Sequence, residues 1–269
     1  MKYIIRADDL GYSEGINYGI YKSASDGMIR NIGLMANMPA AEHGIQLLQR
    51  LEKEYGRKIC LGLHVNISNG RPLSDPVEIP GLTETDGSFH NSRYYRNSGQ
   101  DLVLQEEVIK EVEAQLQYFI KLTGRYPDYM DNHAVFSDSF AAAVKKVADR
   151  YGIICTAAGK YTNSVFPAGN TRMRYCALKS SLPDYDPMES LRESVEIGKQ
   201  DDPDVVHIFV LHPGYLDQYI LNTSSLTVNR TKEVEMACAA ETKQWLYENG
   251  ITCCTFSDFY GTDSEKIRK

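Results

Sequence analysis

Short apolar, β-branched runs alternate with helix-period segments along most of the chain, and that rhythm leaves few folds open. Strands are predicted at 3–7 (YIIRA), 32–37 (IGLMAN), 59–66 (ICLGLHVN), 128–133 (DYMDNH), 153–157 (IICTA), 205–212 (VVHIFVLH) and 251–256 (ITCCTF). Helices are predicted at 14–26, 40–55, 104–122, 138–151 and 229–248. The clearest is 104–122, where Leu104, Val108, Ile109, Val112, Leu116, Phe119 and Ile120 form one apolar stripe. Seven strands with helices between them imply a parallel α/β protein, and right-handed crossovers leave an open doubly wound sheet or a closed barrel. Phosphate-loop and G-x-G-x-x-G fingerprints are both absent, which weakens a nucleotide-binding version.

Alternation within one strand favours the barrel. In ICLGLHVN, Ile59, Leu61, Leu63 and Val65 share one face, while Cys60, Gly62, His64 and Asn66 share the other. An apolar face under helices and a small, polar face around a cavity suit a barrel strand with a site at its C-terminal mouth. At 269 residues, 42% hydrophobic and 24% charged, the chain is long enough for one domain over 1–269. Residues 67–101 and 159–187 break the rhythm with Gly, Pro, Ser, Asn and Tyr and are predicted to be binding lids.

A formal charge of -7 argues against non-specific binding to nucleic acid or to an anionic membrane. No apolar run approaches a membrane span, and MKYIIRADD lacks the features of a signal peptide, so a cytoplasmic protein is expected. Cys60, Cys155, Cys176, Cys238, Cys253 and Cys254 form no C-x-x-C pair and are read as reduced thiols.

The predicted C-terminal strand ends carry the chemistry: Asp8 and Asp9, His64 and Asn66, Asp131 and His133, and His212 before Pro213-Gly214. Two adjacent carboxylates repel, and burying them needs a metal ion or a proton in compensation. Asp, His and His from three strands match a catalytic zinc-like site, whereas magnesium prefers more oxygen ligands. Each residue also has an ordinary structural reading. Asp8 and Asp9 would cap the next helix, His64 would be a bonded core histidine, Asp131 and His133 would pair with each other, and His212 would sit in a turn. Their shared placement at one barrel edge favours a joint site. His43 reads as a helix residue, His90 as part of a loop, and His207 as packing outside the barrel.

Four segments in order, ADDLG near the N-terminus, LGLHVN at 61–66, GRYPDYMDNH at 124–133 and LHPG at 211–214, resemble the YdjC-like carbohydrate deacetylases. The resemblance implies a TIM-like, somewhat irregular (β/α) barrel that removes acetyl groups from N-acetylated sugars such as chitooligosaccharides, using one divalent metal, zinc or magnesium. It implies Asp9, His64 and His133 as metal ligands, Asp8 as general base and His212 as general acid, and it allows a homodimer. Asp131 would orient an imidazole, with Asn66, Tyr94 and Tyr175 near the metal or the sugar. Tyr95, Tyr161 and Phe166 would add aromatic faces. The chain departs from the family at DNHAVF, where further histidines commonly follow the ligand. Two alternatives are a phosphoesterase-like metal hydrolase and a non-catalytic sugar-binding barrel.

Overall fold

The computed structural model describes residues 1–160 and 164–260. Its centre is β1 (Lys2–Leu10), which pairs in parallel with β2 (Asn31–Leu34) along one edge and with β8 (Val205–Leu211) along the other. Outward from β2 follow β3 (Cys60–Val65), β4 (Tyr129–Asn132) and β5 (Ile154–Cys155), all parallel. Beyond β8 lies a hairpin of β6 (Phe166–Ala168) and β7 (Thr171–Tyr175), of which β7 pairs in parallel with β8. Helices α1 (Glu14–Ser25), α2 (Ala41–Tyr55), α4 (Gln105–Thr123), α5 (Asp138–Arg150), α6 (Pro187–Gly198), α8 (Val228–Cys238) and α9 (Ala240–Glu248) accompany the strands, with short α3 (Ser92–Asn97) and α7 (Gln218–Thr223) in connections. The result is a nearly closed, irregular β/α barrel of the kind the strand alternation implies.

Its incomplete seam lies between β5 and the β6–β7 hairpin. Near the top, Tyr175 Oη donates to the carbonyl of Thr156 at 2.7 Å. At the bottom, β9 (Thr252–Cys253) pairs with the start of β1 and leads into a 3₁₀ turn, Phe256–Phe259. There the amide of Asn170 donates to the Phe259 carbonyl at 3.0 Å, and that of Ile154 to Tyr260 Oη at 3.2 Å.

Side-chain parity separates two apolar regions. Leu61, Leu63 and Val65 face outward into a core with Val112, Leu116 and Phe119 of α4. The inward-facing Ile4, Cys60, Tyr129, Ile154, Met173 and Phe256 fill the lower barrel. Gly62 is required there, because a Cβ would come within 2.3 Å of the Tyr129 ring. The expected small-residue cavity is thus filled below, and open space begins only above Gly62.

Several expectations are corrected. Residues 159–187 contain the β6–β7 hairpin and the first residue of α6, not one long lid. The predicted helix 229–248 is broken at Ala239, whose ψ of 134° is extended. Ser13, rather than Asp8 or Asp9, caps α1 by accepting from the amide of Ile16. The 67–101 connection is anchored: buried Glu111 accepts the amides of Leu73 and Ser74 at 3.0 and 2.9 Å. Among the described residues no helix is long and apolar enough to cross a membrane.

Candidate functional site

Successive residues of a strand normally point to opposite faces, so Asp8 and Asp9 should diverge. Asp9 adopts φ +75°, and the β1–β2 register slips between Ala7 and Leu10. This left-handed kink turns both carboxylates inward: Asp8 Oδ2 and Asp9 Oδ1 lie 3.9 and 3.6 Å from the same atom, His64 Nε2. Gly33 leaves the necessary room, since a Cβ there would meet Asp8 Oδ1 at 2.9 Å.

Two buried arginines compensate much of the carboxylate charge, and neither follows from the paired aspartates alone. Arg6 Nη2 reaches Asp8 Oδ2 at 2.6 Å and Asp131 Oδ2 at 2.7 Å. Arg230 Nη2, from α8, reaches Asp9 Oδ2 at 2.7 Å. Arg6 carried a readable signal, a charge inside an apolar strand at the same parity as Asp8. Arg230 carried none, because its partner is 221 residues away.

Asp8 Oδ1 and Asp9 Oδ1 are buried and accept no hydrogen bond among the described residues. Asp9 Oδ1, His64 Nε2 and His133 Nδ1 converge, with separations of 3.1 Å between His133 and each of the others and 3.6 Å between Asp9 and His64. Donors held tetrahedrally at zinc distances stand about 3.3 Å apart, so these three fit one face of such a site. His64 Nδ1 faces Asp131 Oδ1 at 3.0 Å, which directs the ring's other nitrogen to this point. A second group, Asp8, His64 and Asp131, shares the same histidine.

Electrostatics follow from burial and these pairings. Burial alone would lower the pKa of His64, but Asp131, Asp8 and Asp9 outweigh it and raise the imidazole to about 9. For Asp9, burial pushes upward, yet Arg230 and His133 hold it well below the usual range. In Asp8 burial prevails over Arg6 and the pKa rises. His212 is pushed down to about 3, chiefly by burial, with Arg230, His64 and His133 adding to the effect against Asp9. Its Nδ1 has no hydrogen-bond partner among the described residues.

Asp8, Asp9, His64, Asp131, His133 and His212 all line one cavity of about 850 Å³. Tyr175 also lines it, at a strand end, with its hydroxyl 3.3 Å from Arg6 Nη1. Asn66 stands behind the site: its amide donates to Asn37 Oδ1 and to the carbonyl of Asn69. Asn69 in turn faces His133 Nε2 at 3.0 Å. Tyr94 is exposed and stacks on His90 at 3.9 Å, away from the cavity lining, which takes Asn91, Arg93 and Arg96 from that region. Tyr95 is buried and bonds the carbonyl of Ile67, Phe166 stacks on Tyr175, and Tyr161 lies outside the described residues. His207 packs outside the barrel against Tyr3 and Asp201.

Comparison with known proteins identifies the fold and the family. The chain is similar to a carbohydrate deacetylase from Listeria innocua, 27% identical over 96% of this chain and 98% of the relative. One from Geobacillus stearothermophilus is 28% identical over 96% and 97%. In three dimensions the fold matches that of a candidate cellobiose-phosphate cleavage protein from Enterococcus faecalis, with a TM-score of 0.80 and 20% identity over 97% of this chain and 99% of the other. The model of the YdjC-like proteins matches residues 2–248, and the chain therefore belongs to that family.

Proposed function

We propose that this protein is a metal-dependent hydrolase that removes acetyl groups from N-acetylated sugars such as chitooligosaccharides. The observation that carries the reading is the convergence of Asp9 Oδ1, His64 Nε2 and His133 Nδ1, all within 3.6 Å of one another, on the wall of a cavity sized for a small saccharide. The carbohydrate deacetylase activity named for relatives that match along their whole length supports the same chemistry.

One carboxylate and two imidazoles would hold a divalent ion, a donor set that favours zinc over magnesium. A cation there supplies polarisation of the acetyl carbonyl and a lower pKa for water. Asp8 is assigned as the general base: Arg6 fixes Oδ2, while the unpartnered Oδ1, in a carboxyl made more basic by burial, accepts the proton of the attacking water. His212 is assigned as the acid. It is neutral in the metal-free cavity, so the proton it delivers is the one Asp8 has taken from the water: His212 receives it and, being weakly basic, yields it readily to the departing amine, leaving both groups as they began. Asp131 orients His64, and Asn66 and Asn69 brace His133.

Acetate release from N,N'-diacetylchitobiose, with and without chelation and with His64→Ala as control, tests the assignment. Release that is abolished by chelation, restored by zinc or magnesium and lost in the variant is expected. Release indifferent to chelation, or none from a panel of acetylated sugars with metal present, would overturn it.

A further inference from the structure

Glu233 takes no part in the mechanism above and does not line the cavity. It is nevertheless fully buried on α8, one helical turn from Arg230. Its Oε2 accepts the backbone N–H of His212, and its Oε1 accepts the hydroxyl of Tyr185 at 2.8 Å. Neighbouring residues of α8 hold the same two structures. Arg230 Nη1 donates to the His212 carbonyl at 3.3 Å, and Lys232 Nζ to the Tyr185 carbonyl at 2.9 Å. Asn229 Nδ2 donates to the carbonyls of Ser180 and Leu182 at 2.8 and 3.0 Å. Leu178, Ser180 and Ser181 of that segment face the cavity.

We propose that Glu233 is a positioning residue that fixes the main chain of His212 and ties it, through Tyr185, to the cavity wall at 178–181. A buried carboxylate is retained in an apolar setting at a desolvation cost, so its two bonds must do something an apolar residue could not. His212 sits at the end of β8 with Pro213 next, and the pyrrolidine leaves that turn one donor short of a backbone bond. The Glu233 and Arg230 contacts hold the N–H and C=O of His212 from one helix face, which sets where its ring stands.

The inference rests on the deacetylase reading for its kinetic test, and a second readout stands apart from activity. In the full-length protein, Glu233→Ala should lower kcat for acetate release at least tenfold with KM within twofold, and should shift the His212 ring resonances in the NMR spectrum. Glu233→Gln, which keeps an acceptor for the His212 amide, should recover most of kcat, and Tyr185→Phe should fall between. If Glu233→Ala does not fold, the Gln and Phe variants decide. Should the wild type release no acetate, the deacetylase reading falls, and the His212 resonances alone test the positioning role. Unmoved resonances, or a loss confined to KM, would overturn the proposal.

Discussion

The lower and upper halves of the barrel interior are made by the same strands and differ in kind. Along β1 the inward positions run Ile4, Arg6, Asp8; along β3, Cys60, Gly62, His64; and from β4 onward, Tyr129, Asp131, His133. Within two residues per strand the lining changes from apolar to ionisable. The Tyr129 ring marks the boundary, covering Gly62 and lying 5.6 Å from the Arg6 guanidinium. The division separates stability from chemistry by about one strand period, so that a packed floor excludes water beneath a charged site.

The comparison breaks most visibly if the upper half is emptied of a donor. His64→Ala should lose stoichiometric zinc or magnesium binding, read by calorimetry, while the thermal transition stays cooperative. Retained one-to-one binding would mean that the donors do not act as a set. In the lower half, Phe256→Ala removes the ring that lies 4.0 Å from that of Tyr129 and should cost about 3–5 kcal/mol in denaturant unfolding, with metal stoichiometry kept. A smaller loss would show that the C-terminal turn does not support the floor.

Asp131→Asn sharpens the boundary. It weakens the orienting bond to His64 and one partner of Arg6, and should lower metal affinity roughly 10–100-fold. Counted per pH unit, the smallest effect is one of pH. With its pKa raised to about 9, His64 is expected to be protonated in the metal-free protein at neutral pH, and an ion bound there would have to displace that proton. Affinity should therefore rise about tenfold per pH unit up to about 9, and proton release should accompany binding. The sign for stability is opposite: a raised histidine stabilises the metal-free fold below about pH 6.5 and loses that contribution as pH rises through about 9. An affinity that is flat between pH 6 and 8 would show that His64 is neutral before the ion arrives.

Much of this was readable from the chain because its cause is local. All seven predicted runs contain strands, since β-branched clusters between turn residues are a local signal. The β6–β7 hairpin was hidden because Arg172 and Arg174 interrupt its apolar pattern, and their partners Asp201, Asp202 and Asp204 lie some thirty residues on. The break at Ala239 carries neither Gly nor Pro to announce it. The pattern of predicted strand ends brought Asp8, His64 and Asp131 to one barrel edge. It could not place Asp9 beside Asp8, because that depends on a single left-handed residue. Nor could it supply Arg230, whose approach to Asp9 exists only once α8 has docked.

That last pairing has a consequence in time. Asp9 is made 221 residues before its arginine, and at ribosomal rates of about 5–20 residues per second the interval is roughly 10–45 s. Throughout it the adjacent carboxylates have only Arg6 within their own strand, and closing the site over them early would trap an uncompensated charge. The nascent β1 is therefore expected to keep this end hydrated until α8 emerges, which makes docking of that helix the late step that completes the site.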